Sequence, residues 1–257
     1  ASHRVLTPTL IASALGSALG ATSSDASDVM FEATSRVFLA GRASPIETRD
    51  RGFSQAGPAA GALGQLRLFS VLEAVYGNPF EEARAERVEV DLAVRFARDV
   101  VEIVDAQVAG AEVDPGSTVP VRVVLRHFDQ SEQVRVIPLP VPAHFAGQTL
   151  EVLVQPGSSV RPETGLPRSL GDILTTIQAR YPSTSLVLST RTPLRGLRFG
   201  GHVVRALPPS ALDSLQLTND SDRNRPFVTY DRREVALDQV VVGGARVQLE
   251  VRRVPRP

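Results

Sequence analysis

Residues Arg87–Phe96 read RVEVDLAVRF, and Val100–Val108 read VVEIVDAQV. In the first stretch Val88, Val90, Leu92, Val94 and Phe96 recur at every second position, with Glu89, Asp91 and Arg95 between them. A period of two sends alternate side chains to opposite faces, which is the signature of a half-buried strand. Val100–Val108 is a second strand. Val113-Asp114-Pro115-Gly116 is a turn, Val119–His127 a third strand and Gln133–Leu139 a fourth. Pro138, Pro140 and Pro142 suit the end of that fourth strand to a sheet edge, because proline cannot donate to a ladder. Leu150, Val152 and Val154 give a fifth. Turn signals at this short spacing predict an immunoglobulin-like β-sandwich over residues 85–155.

Upstream, residues 1–84 read as a helix-hairpin-helix segment. Leucine and isoleucine at 6, 10, 11, 15 and 19 follow a helical stripe, with Thr7 as cap and Pro8 at the first helical position, so a short buried helix is expected. Val29–Ala40 alternates, Gly41 turns the chain, and Ser44–Arg49 pairs back. Leu66–Tyr76 has Leu68, Phe69, Leu72 and Val75 on one side and is stopped by Gly77, Asn78 and Pro79. Downstream, residues 156–257 read as an α+β segment. A Pro/Gly-rich connector spans 156–168, and a helix spans Ser169–Arg180 with Ser169 capping and Asp172 three residues on. A short strand at Leu186–Leu188, a mobile loop at Gly196–Gly201 and a small helix at Pro209–Leu215 follow. Phe227–Tyr230, Val235–Val242 and Val247–Val251 close the chain as strands, with Gly243-Gly244 as a hairpin turn between the last two. The fold class expected is α+β, mainly β with a few helices.

The chain has 257 residues, no cysteine, and 28 positive against 28 negative side chains, all the positive ones arginine. Absence of cysteine excludes disulfides, thiolate metal sites and thiol nucleophiles. Zero net charge supplies no long-range field for nucleic acid. No apolar run is long enough to span a bilayer. The excess of alanine, arginine, glycine and proline points to a GC-rich bacterial genome. The chain opens at an alanine, directly into structure, and reads as a processed or excised piece.

Candidate chemistry is sparse. The histidines at 3, 127, 144 and 202 lie outside metal-ligand spacing of one another. His127, followed by Asp129 at a strand end, is the first candidate for a general base, set against a plain hairpin turn. Ser210, after Pro208-Pro209, reads as a helix start, and no Gly-x-Ser-x-Gly elbow occurs. Asp220, Asp222 and Asn224 have the alternate spacing that begins a calcium loop. Arg225 stands where the turn needs glycine, however, and Asp231 where it needs a bidentate glutamate, so a solvated loop is the better reading. Gly61-Ala62-Leu63-Gly64 lacks the context of a phosphate loop. No cofactor is expected.

Several blocks, taken in order, resemble the region that follows the protease domain in large bacterial proteins of the SpoIVB-type serine peptidase family. They are Leu6-Thr7-Pro8-Thr9-Leu10, Gly77-Asn78-Pro79-Phe80-Glu81-Glu82-Ala83, Val113-Asp114-Pro115-Gly116-Ser117-Thr118-Val119-Pro120-Val121 and Val136-Ile137-Pro138-Leu139-Pro140-Val141-Pro142, then Leu207-Pro208-Pro209-Ser210-Ala211-Leu212 and Val240-Val241-Val242-Gly243-Gly244-Ala245-Arg246-Val247. In that family the nucleophile lies in a Ser-Gly-Ser-Pro type motif and a histidine in a Gly-His-Pro type motif, both upstream of the matched region. Here Ala43-Ser44-Pro45 lacks the glycine and first serine, and Gly201-His202-Val203 lacks the proline. No catalytic residue is carried over. The resemblance implies an exported protein of the bacterial cell envelope, periplasmic or extracellular, whose partner is an upstream protease half or an envelope complex. The function expected is a non-catalytic binding or assembly portion. The alternatives are a functional part of a serine endopeptidase, with His127 and Asp129 tested first, and a calcium-dependent adhesive module.

Overall fold

The computed structural model describes residues 6–22, 28–55, 66–110, 112–199, 202–207, 210, 214 and 225–253. The chain forms two compact units, Ala1–Asp99 with Pro167–Ser183, and Val100–Leu166 with Thr184–Pro257. Each has its own hydrophobic core. The protein is mainly β with short helices, the α+β class expected.

In the first unit, β1 (Val29–Leu39) lies between β2 (Ile46–Ser54) and β3 (Ala85–Arg95), both antiparallel to it. Phe31, Ala33, Val37 and Leu39 point inward, and Glu32, Thr34, Arg36 and Phe38 point outward. The inner face is covered by α2 (Arg67–Gly77) through Leu68, Val71, Leu72 and Val75, and by α3 (Leu170–Gln178) through Leu170, Leu174 and Ile177. Ser169 caps α3 as expected: its hydroxyl accepts the Asp172 N–H at 3.1 Å, and the Asp172 carboxylate accepts the Arg168 N–H at 2.8 Å. Helix α1 (Leu6–Thr22) forms where the leucine stripe placed it. It is not buried: Ile11 and Leu15 lean on the core, while Leu10 is 64 % exposed.

In the second unit two sheets share one core. One runs in the order β12 (Val240–Gly243), β4 (Val100–Val108), β6 (Thr118–His127), β7 (Glu132–Pro140). The other runs β10 (His202–Leu207), β9 (Ser185–Phe199), β8 (Thr149–Pro156), β13 (Ala245–Val251), β5 (Glu112–Val113), with β11 (Arg225–Ala236) also on β9. Val101, Val121, Val123, Leu125 and Ile137 from the first meet Leu150, Val152, Val154, Leu188 and Leu249 from the second.

Three expectations change, and a fourth falls mostly outside the described residues. Strand β3, read as the first strand of a sandwich over 85–155, pairs instead with β1 in the other unit, and β9, β12 and β13, from far downstream, complete the two sheets of the second unit. Alternation gives a strand an apolar face without naming the neighbour that supplies its hydrogen bonds. Gly243-Gly244 is no hairpin turn: β12 runs parallel to β4, β13 pairs antiparallel with β8, and the chain switches sheet between them. Gly243 makes the switch with φ +76°, and a Cβ there would sit 2.8 Å from the Ile103 carbonyl oxygen. The short strand at 186–188 and the loop at 196–201 are largely one strand of 15 residues, in which Gly196 pairs with Phe227. The helix expected at Pro209–Leu215 falls mostly outside the described residues.

Candidate functional site

His127 ends β6, and the chain reverses through Phe128, Asp129 and Gln130 into β7. The Gln130 N–H donates to the His127 carbonyl at 3.0 Å, and the His127 N–H donates to the Ser131 carbonyl at 2.9 Å. Gln130 takes φ +68°. This is a three-residue hairpin loop, a tight turn followed by one left-handed residue. Asp129 closes it from inside. One carboxylate oxygen accepts the Ser131 N–H at 2.9 Å and the Ser131 hydroxyl at 2.5 Å. Those two bonds, with a smaller contribution from nearby His127, hold the Asp129 carboxyl below its usual range.

The turn thus gathers a serine, an aspartate and a histidine in an order unsuited to acyl transfer. A nucleophilic serine donates its proton to a base that can keep it, and the base is held by a third group. Here the Ser131 hydroxyl donates to a carboxylate whose basicity is lowered, and among the described residues nothing hydrogen-bonds the His127 imidazole. Ser131 entered no expectation, because a serine next to a strand start carries no sequence signal of its own.

His144 is exposed in a short 3-10 turn with its ring tilted against Phe145. His202 opens β10, while His3 lies outside the described residues. Ser210 is exposed, and its carbonyl accepts the Ser214 hydroxyl at 2.9 Å. Asp220, Asp222 and Asn224 lie outside the described residues, as does Gly61–Gly64. Among the described residues no group of three or more His, Asp or Glu side chains is placed to hold a metal ion. No helix among them is long and apolar enough to cross a membrane.

Apolar surface is the more informative feature. In the first unit the alternating face of β3, Val88, Val90, Leu92 and Val94, is only half-buried at the sheet edge. In the second unit Val134 and Val136 of edge strand β7 stand on the outer sheet face, Val136 at 60 % exposure. Pro138 of β7 lies opposite Pro120 of β6. Neither has an N–H, so this is a non-hydrogen-bonded pair. Counting by twos, the backbone groups of Val134 and Val136 face away from β6 as well. The Pro138 carbonyl on that edge accepts the Arg233 guanidinium at 2.7 Å, and the missing N–H blunts the rest of that end.

Two partly buried ion pairs leave no signal in the sequence. Asp50 of β2 accepts the Arg67 backbone N–H at 2.9 Å and its Nε at 2.6 Å, which caps α2, because Leu66 has no side chain that can do so. In the second unit Glu163 lies on β11, accepting the Tyr230 N–H at 2.8 Å and meeting Arg232 at 3.7 Å. Both join residues far apart in the chain, so no spacing rule reaches them.

No protein-family profile, no curated protein and no solved structure matches this chain.

Proposed function

We propose that the chain is a non-catalytic binding or assembly portion of an exported, SpoIVB-type peptidase-like protein, docking a protease half or an envelope partner. The observation that carries this reading is helix α1. It carries no charged side chain, and its leucines and isoleucine at 6, 10, 11, 15 and 19 form a stripe of the kind that packs on a core. None of its described side chains is buried, and Leu10 is 64 % exposed. Leu10, with half-covered Ile11 and Leu15 beside it, offers an apolar contact to a partner. The half-covered valine row of β3 and the open edge of β7 support the same reading. The location proposed, periplasmic or extracellular, rests on the resemblance alone.

The architecture proposed for the second unit is immunoglobulin-like. Support comes from two sheets over one alternating core and from a last segment that crosses between them at Gly243-Gly244.

The test is co-expression with the protease region of a SpoIVB-type protein, followed by size-exclusion chromatography with light scattering. A complex is expected, and Leu10→Asp is expected to abolish it without lowering the melting temperature. Wild-type and variant chains both eluting alone would reject the proposal. Turnover of casein by the isolated chain, lost in His127→Ala, would favour the endopeptidase reading instead. A melt that calcium raises and chelator lowers would favour the adhesive one.

A further inference from the structure

Between the β1–β2 turn and helix α3 the first unit has an open depression of about 440 Å³. That is within the roughly 300–1,000 Å³ common for small-molecule sites. Its floor is apolar, made by buried Ile46 and Leu174 with Pro45 beside them. Its rim is polar, with Arg42 and Ser44 on the turn and Thr175 and Gln178 on the helix. Gly171 keeps the wall low: the Arg42 guanidinium comes within 3.9 Å of the place a Cβ on residue 171 would occupy.

Arg42 is one of the arginines of the first unit, with Arg84, Arg168 and Arg180, that have no carboxylate partner among the described residues. Arg36, Arg51, Arg67, Arg87, Arg95 and Arg98 of the same unit each reach a carboxylate. Arg42 reaches none, and its guanidinium makes no hydrogen bond among the described residues. A guanidinium offers parallel N–H groups in one plane, the geometry that a carboxylate accepts in pairs. Two acceptors beside it suit a donor carried next to the carboxylate, such as a peptide N–H. The Thr175 hydroxyl donates to the Gly171 carbonyl at 2.9 Å and so presents lone pairs outward. The Gln178 side-chain N–H is turned to the Glu47 carbonyl at 3.4 Å, leaving its amide oxygen as an acceptor.

We infer that this depression is a binding site for a carboxylate carried on a short branched apolar group, with Arg42 gripping the carboxylate and Ile46, Pro45 and Leu174 covering the apolar part. A polypeptide C-terminus and a free organic acid share that chemistry. The site stands independently of the docking role proposed for α1.

The test is an NMR titration of the full chain, following the Arg42 Nε–H and the amides of Gly171 and Thr175. Three probes are used: N-acetyl-leucine, 4-methylpentanoate, and N-acetyl-leucinamide, which lacks the carboxylate. Saturable shifts at those three positions are expected with the two acids and not with the amide. R42Q, at an exposed position, is expected to keep the melting temperature and to bind the acids at least ten-fold more weakly. Tighter binding of N-acetyl-leucine points to a peptide terminus, and tighter binding of 4-methylpentanoate to a free acid. Equal shifts from the amide, non-saturable shifts, or an R42Q affinity within two-fold of wild type would overturn the assignment.

Discussion

Gly41 and Gly243 have nearly the same backbone, φ +75° and +76°, in different surroundings. A Cβ on Gly41 meets nothing within 4 Å, whereas one on Gly243 meets the Ile103 carbonyl oxygen at 2.8 Å and Glu102 Cγ at 3.1 Å. Gly41→Ala therefore costs only left-handed strain, about 1 kcal/mol. Gly243→Ala adds a backbone clash and is expected to cost about 3 kcal/mol. Urea midpoints of the two variants check this, and equal losses would refute the sheet-switch geometry. Glu32 gives a second test at this scale. Its carboxylate accepts Arg51 Nε at 2.9 Å and also Arg95, and the Arg51 hydrogen bond, with the charges of both arginines, holds its pKa below the ordinary 4.5. The carboxylate therefore binds protons more weakly folded than unfolded. Its stabilisation is complete above about pH 4.5 and is lost as pH falls through the lowered value. The melting-temperature gap between wild type and Glu32→Gln should close on acidification. The side chain is 41 % exposed, so salt should narrow the gap too.

At the scale of elements, the two core helices of the first unit are capped by different means. Helix α3 carries its own cap in Ser169, three residues before Asp172, and that cap was legible because it is local. Helix α2 begins after Leu66 and borrows its cap from Asp50 on β2, a residue 17 positions away. Ser169→Ala is expected to cost about 1 kcal/mol. Asp50→Ala removes a cap and also takes the carboxylate from the Arg67 guanidinium, which is 18 % exposed and keeps only the Arg49 carbonyl, and is expected to cost about 3 kcal/mol. Denaturant melts of both variants would show it, and an Asp50 effect no larger than that of Ser169 would count against the cross-strand cap. The strands follow the same division. Val119–His127 was legible as a strand because alternation is local. Its hairpin loop depends on Gln130 turning left-handed and on Asp129 closing onto Ser131, which no motif announces.

At the scale of the molecule, the chain builds two cores from interleaved segments. Residues 167–183 return to the first unit after the second has begun. Each core has its own fully buried leucines, Leu68 and Leu72 in one, Leu125 and Leu150 in the other. Leu72→Ala should cost about 3 kcal/mol. Native-state hydrogen exchange should show this as faster exchange at Val71 and Val37, with much smaller changes at Val123 and Val152. Equal acceleration in both groups would mean that the two cores unfold as one. The candidate site was least legible at this scale. His127 and Asp129 stood out as residue types, whereas the Arg42 depression is assembled from a turn and a helix more than 120 positions apart.

What the sequence determined by itself was local: the period of two along β3, β4, β6 and β8, the stripe of α1, the Ser169 cap, and the exclusion of cysteine chemistry. These follow from bonds and contacts within a few residues, which the order of side chains dictates directly. Tertiary structure decided the rest: β3 on β1, the sheet switch at Gly243, the Asp50 cap of α2 and the half-open surface of α1. A strand's unpaired N–H and C=O groups accept any strand of suitable register, so the choice among partners rests on how whole faces are buried together, and that is a property of the assembled chain.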